Sequence, residues 1–256
     1  MSDVINGTWN NSYGSSMQLS LVDQQIYGTY RSHTGSTGVY LLVGNCSSNA
    51  PTKAAGKNLA FSIFWRSIQG DKADDSWHWA GSMCGQLLAD GQMTLSNTIV
   101  VSVPFEQFSK GNYVDELVFT KQSESSELDI PKLFASTEPK AAQAQPLVGT
   151  WANQTSQLTI QAVNMLTGLA KASLSQQEKT LQLLGFIDVY AGSALAQSFS
   201  FTGIDPKSQQ TMSICGALEQ QQTELTIYQW ISQSTPADTS FMQARIAAQL
   251  LVKQAS

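Results

Sequence analysis

Short runs of alternating apolar and polar residues, each ended by Gly, Asn, Asp or Ser, cover the first half of this chain. Residues 16–22 (Ser-Met-Gln-Leu-Ser-Leu-Val) alternate, Asp23-Gln24-Gln25 turns the chain, and residues 26–32 answer with Ile-Tyr-Gly-Thr-Tyr-Arg-Ser, a pattern that predicts a β-hairpin. Residues 39–43, 57–66, 75–84, 92–103 and 112–121 continue the cadence, with Phe61, Ile63 and Trp65 on one face and Asp75, Trp77 and Trp79 on another. With the run at residues 7–11 they make eight segments, at the spacing of an antiparallel meander or barrel. The second half divides likewise near residues 148–153, 156–162, 165–173, 180–187, 194–203, 209–217, 223–231 and 242–253. Two stretches there, residues 173–184 and 241–255, are rich in Ala, Gln, Leu and Lys and favour helix by propensity, so they compete with the strand assignment.

The two halves share an opening. Gly7-Thr8-Trp9 returns 142 residues later as Gly149-Thr150-Trp151, and in each copy an Asn follows the Trp by two positions, Asn11 and Asn153. In a strand that spacing puts indole and amide on one face, which would line a polar-bottomed cavity. A tandem repeat follows. Residues 122–146 mix Ser, Glu, Lys, Pro and Ala with few large apolar groups and read as a linker, within which Leu133-Phe134 is the one pair able to dock on a neighbour. The expected organisation is therefore a barrel over residues 1–121, a linker over 122–146 and a second barrel over 147–256: an all-β protein of two eight-stranded antiparallel up-and-down β-barrels in tandem.

Composition narrows the function. The 256 residues are 42% hydrophobic and 13% charged, enough to bury two cores of roughly 100 to 120 residues each. A formal net charge of −5 with scattered Lys and Arg gives no stripe for phosphates, which argues against nucleic acid as partner. No apolar run reaches membrane-spanning length, and residues 1–6 lack a charged-then-apolar leader, so the expectation is a soluble chain, cytoplasmic or secreted with a leader already removed. Cys46, Cys84 and Cys215 have neither metal-ligand nor disulfide-framework spacing and read as buried thiols. The only histidines, His33 and His78, fall in no nucleophile or metal pattern, and Asp74-Asp75 point to opposite sides of a strand, so no enzyme, metal or resident cofactor is expected. His78 should face outward, opposite Trp77 and Trp79.

Residues 5–121 resemble the avidin and streptavidin family. The carriers are Gly7-Thr8-Trp9-Asn10-Asn11 with Ser15, Gly28-Thr29-Tyr30-Arg31-Ser32, Trp65-Arg66, Trp79-Ala80-Gly81 and Phe119-Thr120-Lys121, in this order and at these intervals. The second half is similar more faintly, through Gly149-Thr150-Trp151, Asn153, Leu166-Thr167-Gly168, residues 194–201 and Tyr228-Gln229-Trp230. The resemblance implies an eight-stranded barrel holding biotin in one end. It implies that Asn11, Ser15 and Tyr30 donate to the ureido oxygen, that Ser32 accepts from a ureido N–H, and that Trp65 and Trp79 wall the ring. Independently of the family, three convergent donors suit a carbonyl, and an aromatic box that excludes water strengthens each hydrogen bond. Trp9 reads as barrel core.

The departures matter equally. Leu117 stands where the family places its last-strand acceptor, with Asp115 and Glu116 nearby; Trp77 replaces a Thr that touches the ligand sulfur; Asp75 replaces a Ser at the ligand carboxylate, which it would repel. Ile99 replaces a wall tryptophan, and the tryptophan lent by a neighbouring subunit falls at Ser109 beside Phe108. Biotin binding weaker than the family's is expected. In the second half, Ala170 and Ala172 align with the Tyr and Ser, Phe201 and Ile214 with the two tryptophans, so that barrel is expected to be a filled or apolar pseudo-subunit. The family's lid interval, counted back from Gln249, makes Phe241 a candidate lid for the first barrel. The leading expectation is a biotin or cyclic urea/amide binder with the barrels paired within one chain, and two chains as a candidate four-barrel dimer. The alternative is an avidin-fold interaction protein that binds a protein or glycan through its loops.

Overall fold

The computed structural model describes residues 4–33, 38–68, 78–105, 107–125, 129, 133–134, 140–141, 145–191, 195–220, 222–238 and 244–255. Strands β1 (Gly7–Asn11), β2 (Ser16–Val22), β3 (Gln25–Ser32), β4 (Gly38–Cys46), β5 (Lys57–Phe64), β6 (Trp79–Leu87), β7 (Gln92–Val101) and β8 (Gly111–Ser123) each pair antiparallel with the next, and β8 returns to β1 to close a barrel. After a two-residue strand β9 (Lys140–Ala141), β10 (Gly149–Ala152), β11 (Ser156–Val163), β12 (Leu169–Gln176), β13 (Lys179–Ile187), β14 (Gln197–Ile204), β15 (Thr211–Leu218), β16 (Glu224–Ser232) and β17 (Ala244–Lys253) build a second meander. It closes because β10 pairs with both β11 and β17. β9 lies on β11 at Ala162 and Val163, just past the start of β10, and so extends the line of β10.

The shared Gly-Thr-Trp opening has a structural cause. Gly7 and Gly149 both take positive φ, 128° and 123°, a conformation that side chains rarely adopt, as the chain swings into the first strand of each barrel. Each tryptophan then plugs the floor of its barrel. Trp9 Nε1 donates to the Ile5 carbonyl at 2.9 Å and Trp151 Nε1 to the Leu147 carbonyl at 2.8 Å, while Lys121 and Lys253 lie over the two rings at 5.6 and 5.1 Å. Alternate residues of the strands face inward and complete each core, among them Met17, Leu19, Phe61, Leu95 and Phe119 in the first and Leu158, Ile160, Phe199, Phe201 and Leu251 in the second.

Residues 173–184 form a hairpin, not a helix: β12 and β13 meet at Gln177-Glu178, with Gln177 at φ 55°, and Leu174, Leu181 and Leu183 face inward. Likewise β17 is held between β10 and β16, so its helix-favouring residues are drawn into a ladder.

The barrels pack side by side through β4–β7 and β13–β16. Leu41, Val43, Phe64, Leu169 and Phe186 form one apolar cluster across the join, and Ala60, Cys84, Val100, Cys215 and Trp230 another. Polar bridges run between them: Ser62 Oγ to the Ser200 carbonyl at 2.8 Å, Thr202 Oγ1 to Asn45 Oδ1 at 2.8 Å, and Asn58 Nδ2 to the Gln209 carbonyl at 3.1 Å. His78 does face out of its barrel, but into this join, where Nδ1 and Asp188 Oδ2 are 2.7 Å apart and both side chains are buried. Of the linker, Leu133 and Phe134 pack on the first cluster, Phe134 edge-on to Tyr27 at 5.0 Å, rather than lying in solvent as part of a tether. The three cysteines are buried and in no disulfide; burial pushes the Cys215 thiol up to about 12.

Candidate functional site

Period-two alternation aims one row of side chains from every strand into the barrel, and where the rows stop short of filling it a cup remains. In the first barrel that cup is about 390 Å³, lined by Asn11, Tyr13, Tyr30, Ser32, Trp65, Trp79, Asn97, Ile99, Phe105, Gln107, Phe108, Tyr113, Val114, Asp115 and Leu117. It lies within the size range of small-molecule sites. Of the residues expected from the sequence, Asn11, Tyr30, Ser32, Trp65, Trp79, Ile99 and Leu117 meet here. Ser15 sits buried behind Tyr30, and Asp75, Trp77 and Phe241 lie outside the described residues.

The β1–β2 turn presets Asn11. Its Oδ1 accepts the backbone N–H groups of Tyr13 and Ser15 at 3.1 and 2.9 Å, which turns the amide nitrogen toward the cup as a donor. Ser15 Oγ accepts the His33 N–H at 3.4 Å and is hydrogen-bonded to the Tyr30 hydroxyl. With its own proton directed at the phenol oxygen, Ser15 leaves the Tyr30 proton free to point at a ligand. Burial raises the Tyr30 pKa above its ordinary value, opposed by the Ser15 bond and assisted by Asp115, so the phenol is a neutral donor at physiological pH.

Aromatic rings wall the cup. Trp65 stands edge-on to Tyr30 at 5.5 Å and against Tyr40 at 4.8 Å; Trp79 meets Phe105 and Phe108, each edge-on at 5.3 Å. Those two phenylalanines, in the connection between β7 and β8 and bridged backbone to backbone, were not singled out as wall residues by the sequence. Nor was the polar pair opposite Tyr30: Asn97 Nδ2 donates to Asp115 Oδ1 at 2.8 Å, and Asn97 Oδ1 is buried without a partner. Leu117 occupies the rung expected for the lost acceptor, but Asp115, two residues along the same face, brings a carboxylate to the cup one step nearer the mouth.

The strand registers also relate the barrels residue by residue. Trp9 pairs with Met17 and Met17 with Tyr30, as Trp151 pairs with Leu158 and Leu158 with Leu174. Leu174 and Gln176 thus hold the places of Tyr30 and Ser32, correcting the expected Ala170 and Ala172, which lie deeper in the core. Following the pairs onward, Phe201 matches Phe61 and Ile214 matches Met83, while Asp205 and Gln210 hold the places of Trp65 and Trp79. Trp230 matches Thr98 and faces the join between barrels. The sequence offset changes along the repeat because its turns and strands differ in length, which is what misaligned the expected pairs. Nor is the second barrel filled: its end opens into a cup of about 780 Å³.

The first barrel is thus a closed antiparallel barrel with an aromatic cup at one end, of a size that can hold one small ligand. Residues 2–121, the span of the first barrel, match the model of the Avidin family. The second barrel repeats its architecture, giving a tandem avidin-like form. The comparison with curated proteins finds no match.

Proposed function

We propose that the first barrel is a non-catalytic cup for biotin or a related cyclic urea or amide. The observation that carries this reading is the convergence of Asn11, Tyr30 and Ser32 with Trp65 and Trp79 on one cavity of about 390 Å³. Asn11 Nδ2, the Tyr30 hydroxyl and its Ser15 relay would donate to a ureido oxygen, and Ser32 would accept from one ureido N–H. Asp115 and the unpartnered Asn97 Oδ1 offer acceptors for the other. Trp65, Trp79, Phe105 and Phe108 would exclude water, so that each hydrogen bond forms in a low dielectric. Ile99 leaves one wall without an aromatic ring, and the carboxylate is displaced by one rung, so binding weaker than that of a fully boxed site follows.

Titration of the full chain with biotin, followed by calorimetry and tryptophan fluorescence, tests this. We expect saturation near one equivalent per chain, and weakening by about 1–3 kcal/mol in Tyr30→Phe and in Ser32→Ala, as for a buried hydrogen-bonding group left alone. No binding of biotin, its amide or desthiobiotin, or unchanged affinity in both variants, overturns the reading and favours recognition through the loops.

A further inference from the structure

We propose that the mouth of the second barrel is a separate binding site, for a neutral polyhydroxylated ligand of the saccharide class. The register that relates the barrels shows a wider cup at the equivalent end whose chemistry is replaced. At the rungs of Tyr30, Ser32, Trp65, Trp79, Asn97 and Leu117 stand Leu174, Gln176, Asp205, Gln210, Gln229 and Gln249, and all six line the cavity of about 780 Å³. Among the described residues no aromatic side chain lines it, and Leu174 stands where the first barrel has its phenol donor, so these residues offer a flat bicyclic urea neither the aromatic walls nor the main donor of the first cup.

In their place lies a floor of carboxamides. Gln176 and Gln229 bond reciprocally, Nε2 to Oε1 at 3.0 and 3.2 Å, Gln176 also reaches Ser156 Oγ at 3.2 Å, and Gln249 Nε2 donates to Gln229 Oε1 at 3.0 Å. Gln249 Oε1 is buried within this network and has no partner, an acceptor aimed at an absent donor. A barrel that had merely lost its ligand would fill such rungs with apolar residues, as its lower half does with Phe199, Phe201 and Ile227. Desolvated amides are retained at a cost unless something polar meets them.

The rim sets the ligand class. Lys179 and Asp205 are paired at 2.8 Å, so together they add no net charge, and among the described lining residues Arg245 is the one further charge. Carboxamide, carboxylate and guanidinium groups present donors and acceptors in pairs on a plane, which suits vicinal hydroxyls that both donate and accept. Leu174, Leu181, Met212 and Ile231 between them offer C–H contact to the faces of a sugar ring. This site is independent of any ligand in the first barrel.

The full chain would be titrated by calorimetry with glucose, galactose, mannose, N-acetylglucosamine, maltose and cellobiose, with and without saturating biotin. Binding of at least one sugar near one equivalent per chain is expected, unchanged by biotin and by Tyr30→Phe. Gln249→Leu and Gln176→Ser, which install the first barrel's own residues at those rungs, should each weaken it roughly tenfold. Amide shifts in the unmodified protein should cluster on β12, β16 and β17, which guards against a variant that misfolds. Failure of every sugar to bind below roughly 10 mM, displacement by biotin, or shifts confined to the loops overturns the proposal.

Discussion

Asp115 is the carboxylate that the first barrel brings to its cup. Its rung lies two residues from Leu117, and period two keeps both on the inner face, so the carboxylate enters the cup while Glu116 between them faces out. Its partner Asn97 holds one oxygen at 2.8 Å and leaves the other available. If Asp115 accepts a ligand N–H, Asp115→Ala should weaken biotin by about 1–3 kcal/mol and Asp115→Asn by less, because an amide oxygen still accepts. Leu117→Asp, restoring a carboxylate to the deeper rung, should not improve binding, since two carboxylates on adjacent rungs repel. Equal affinity of the parent, Asp115→Ala and Asp115→Asn, measured by calorimetry, removes Asp115 from the site. This residue is legible in the sequence as a carboxylate near Leu117, and alternation places it, rather than Glu116, on the inner face. Phe105 and Phe108 were harder to see, because loop residues carry no periodicity that says which way they point.

At the scale of elements, alternation located the strands of both barrels, and what it misplaced was register. The hairpin of β12 and β13 looked helical because Gln, Leu, Lys and Ala carry little β propensity, and only the ladder to β11 and β14 on either side overrides that. The turn from β14 to β15 shows how such ladders are fixed. Asp205 Oδ1 accepts the N–H groups of Lys207 and Ser208 at 2.9 and 3.4 Å, Oδ2 pairs with Lys179 at 2.8 Å, and Gln209 turns back at φ 58°. The Lys179 ammonium, with these backbone donors, holds the Asp205 carboxyl well below the usual carboxylate range. A depressed folded-state pKa contributes stability that is fully present above the unfolded value near pH ~4 and is lost as pH falls through it toward the folded value. Denaturation of the parent should therefore lose stability below about pH 4, and Asp205→Asn should be less stable at neutral pH yet show a shallower loss in acid. Parallel curves for the two chains from about pH 6 to about pH 2.5, the range of carboxyl titration, would contradict this role.

At the scale of the whole molecule, the repeat is not two beads on a string. The apolar clusters at Phe64–Phe186 and Cys84–Trp230, the linker contacts of Leu133 and Phe134, and the bridges from Asn45, Asn58 and Ser62 join the barrels along their sides. Sequence alone assigned His78 to an outer face correctly but could not say what lies outside it, because a partner face 110 residues away leaves no local pattern. That partner is Asp188, whose Oδ1 accepts the Tyr190 and Ala191 N–H groups at 3.0 and 3.2 Å while Oδ2 meets His78 Nδ1 at 2.7 Å. The His78 carbonyl in turn accepts from Ser198 Oγ of the second barrel at 3.2 Å and from Ser102 Oγ of its own. Removing the imidazole strands a buried carboxylate oxygen, and removing the carboxylate strands a ring nitrogen and two backbone donors. His78→Ala and Asp188→Ala should each destabilise the chain by about 1–3 kcal/mol, and the double variant by less than their sum, since the second removal costs little once the first partner is gone. Because the pair ties one barrel to the other, His78→Ala should also split a single denaturation transition into two, with ligand-protected first-barrel signals separating from those of the second. A coupling energy near zero, with one transition retained in every variant, would mean that the apolar clusters alone hold the barrels together and that this buried pair is incidental to their union.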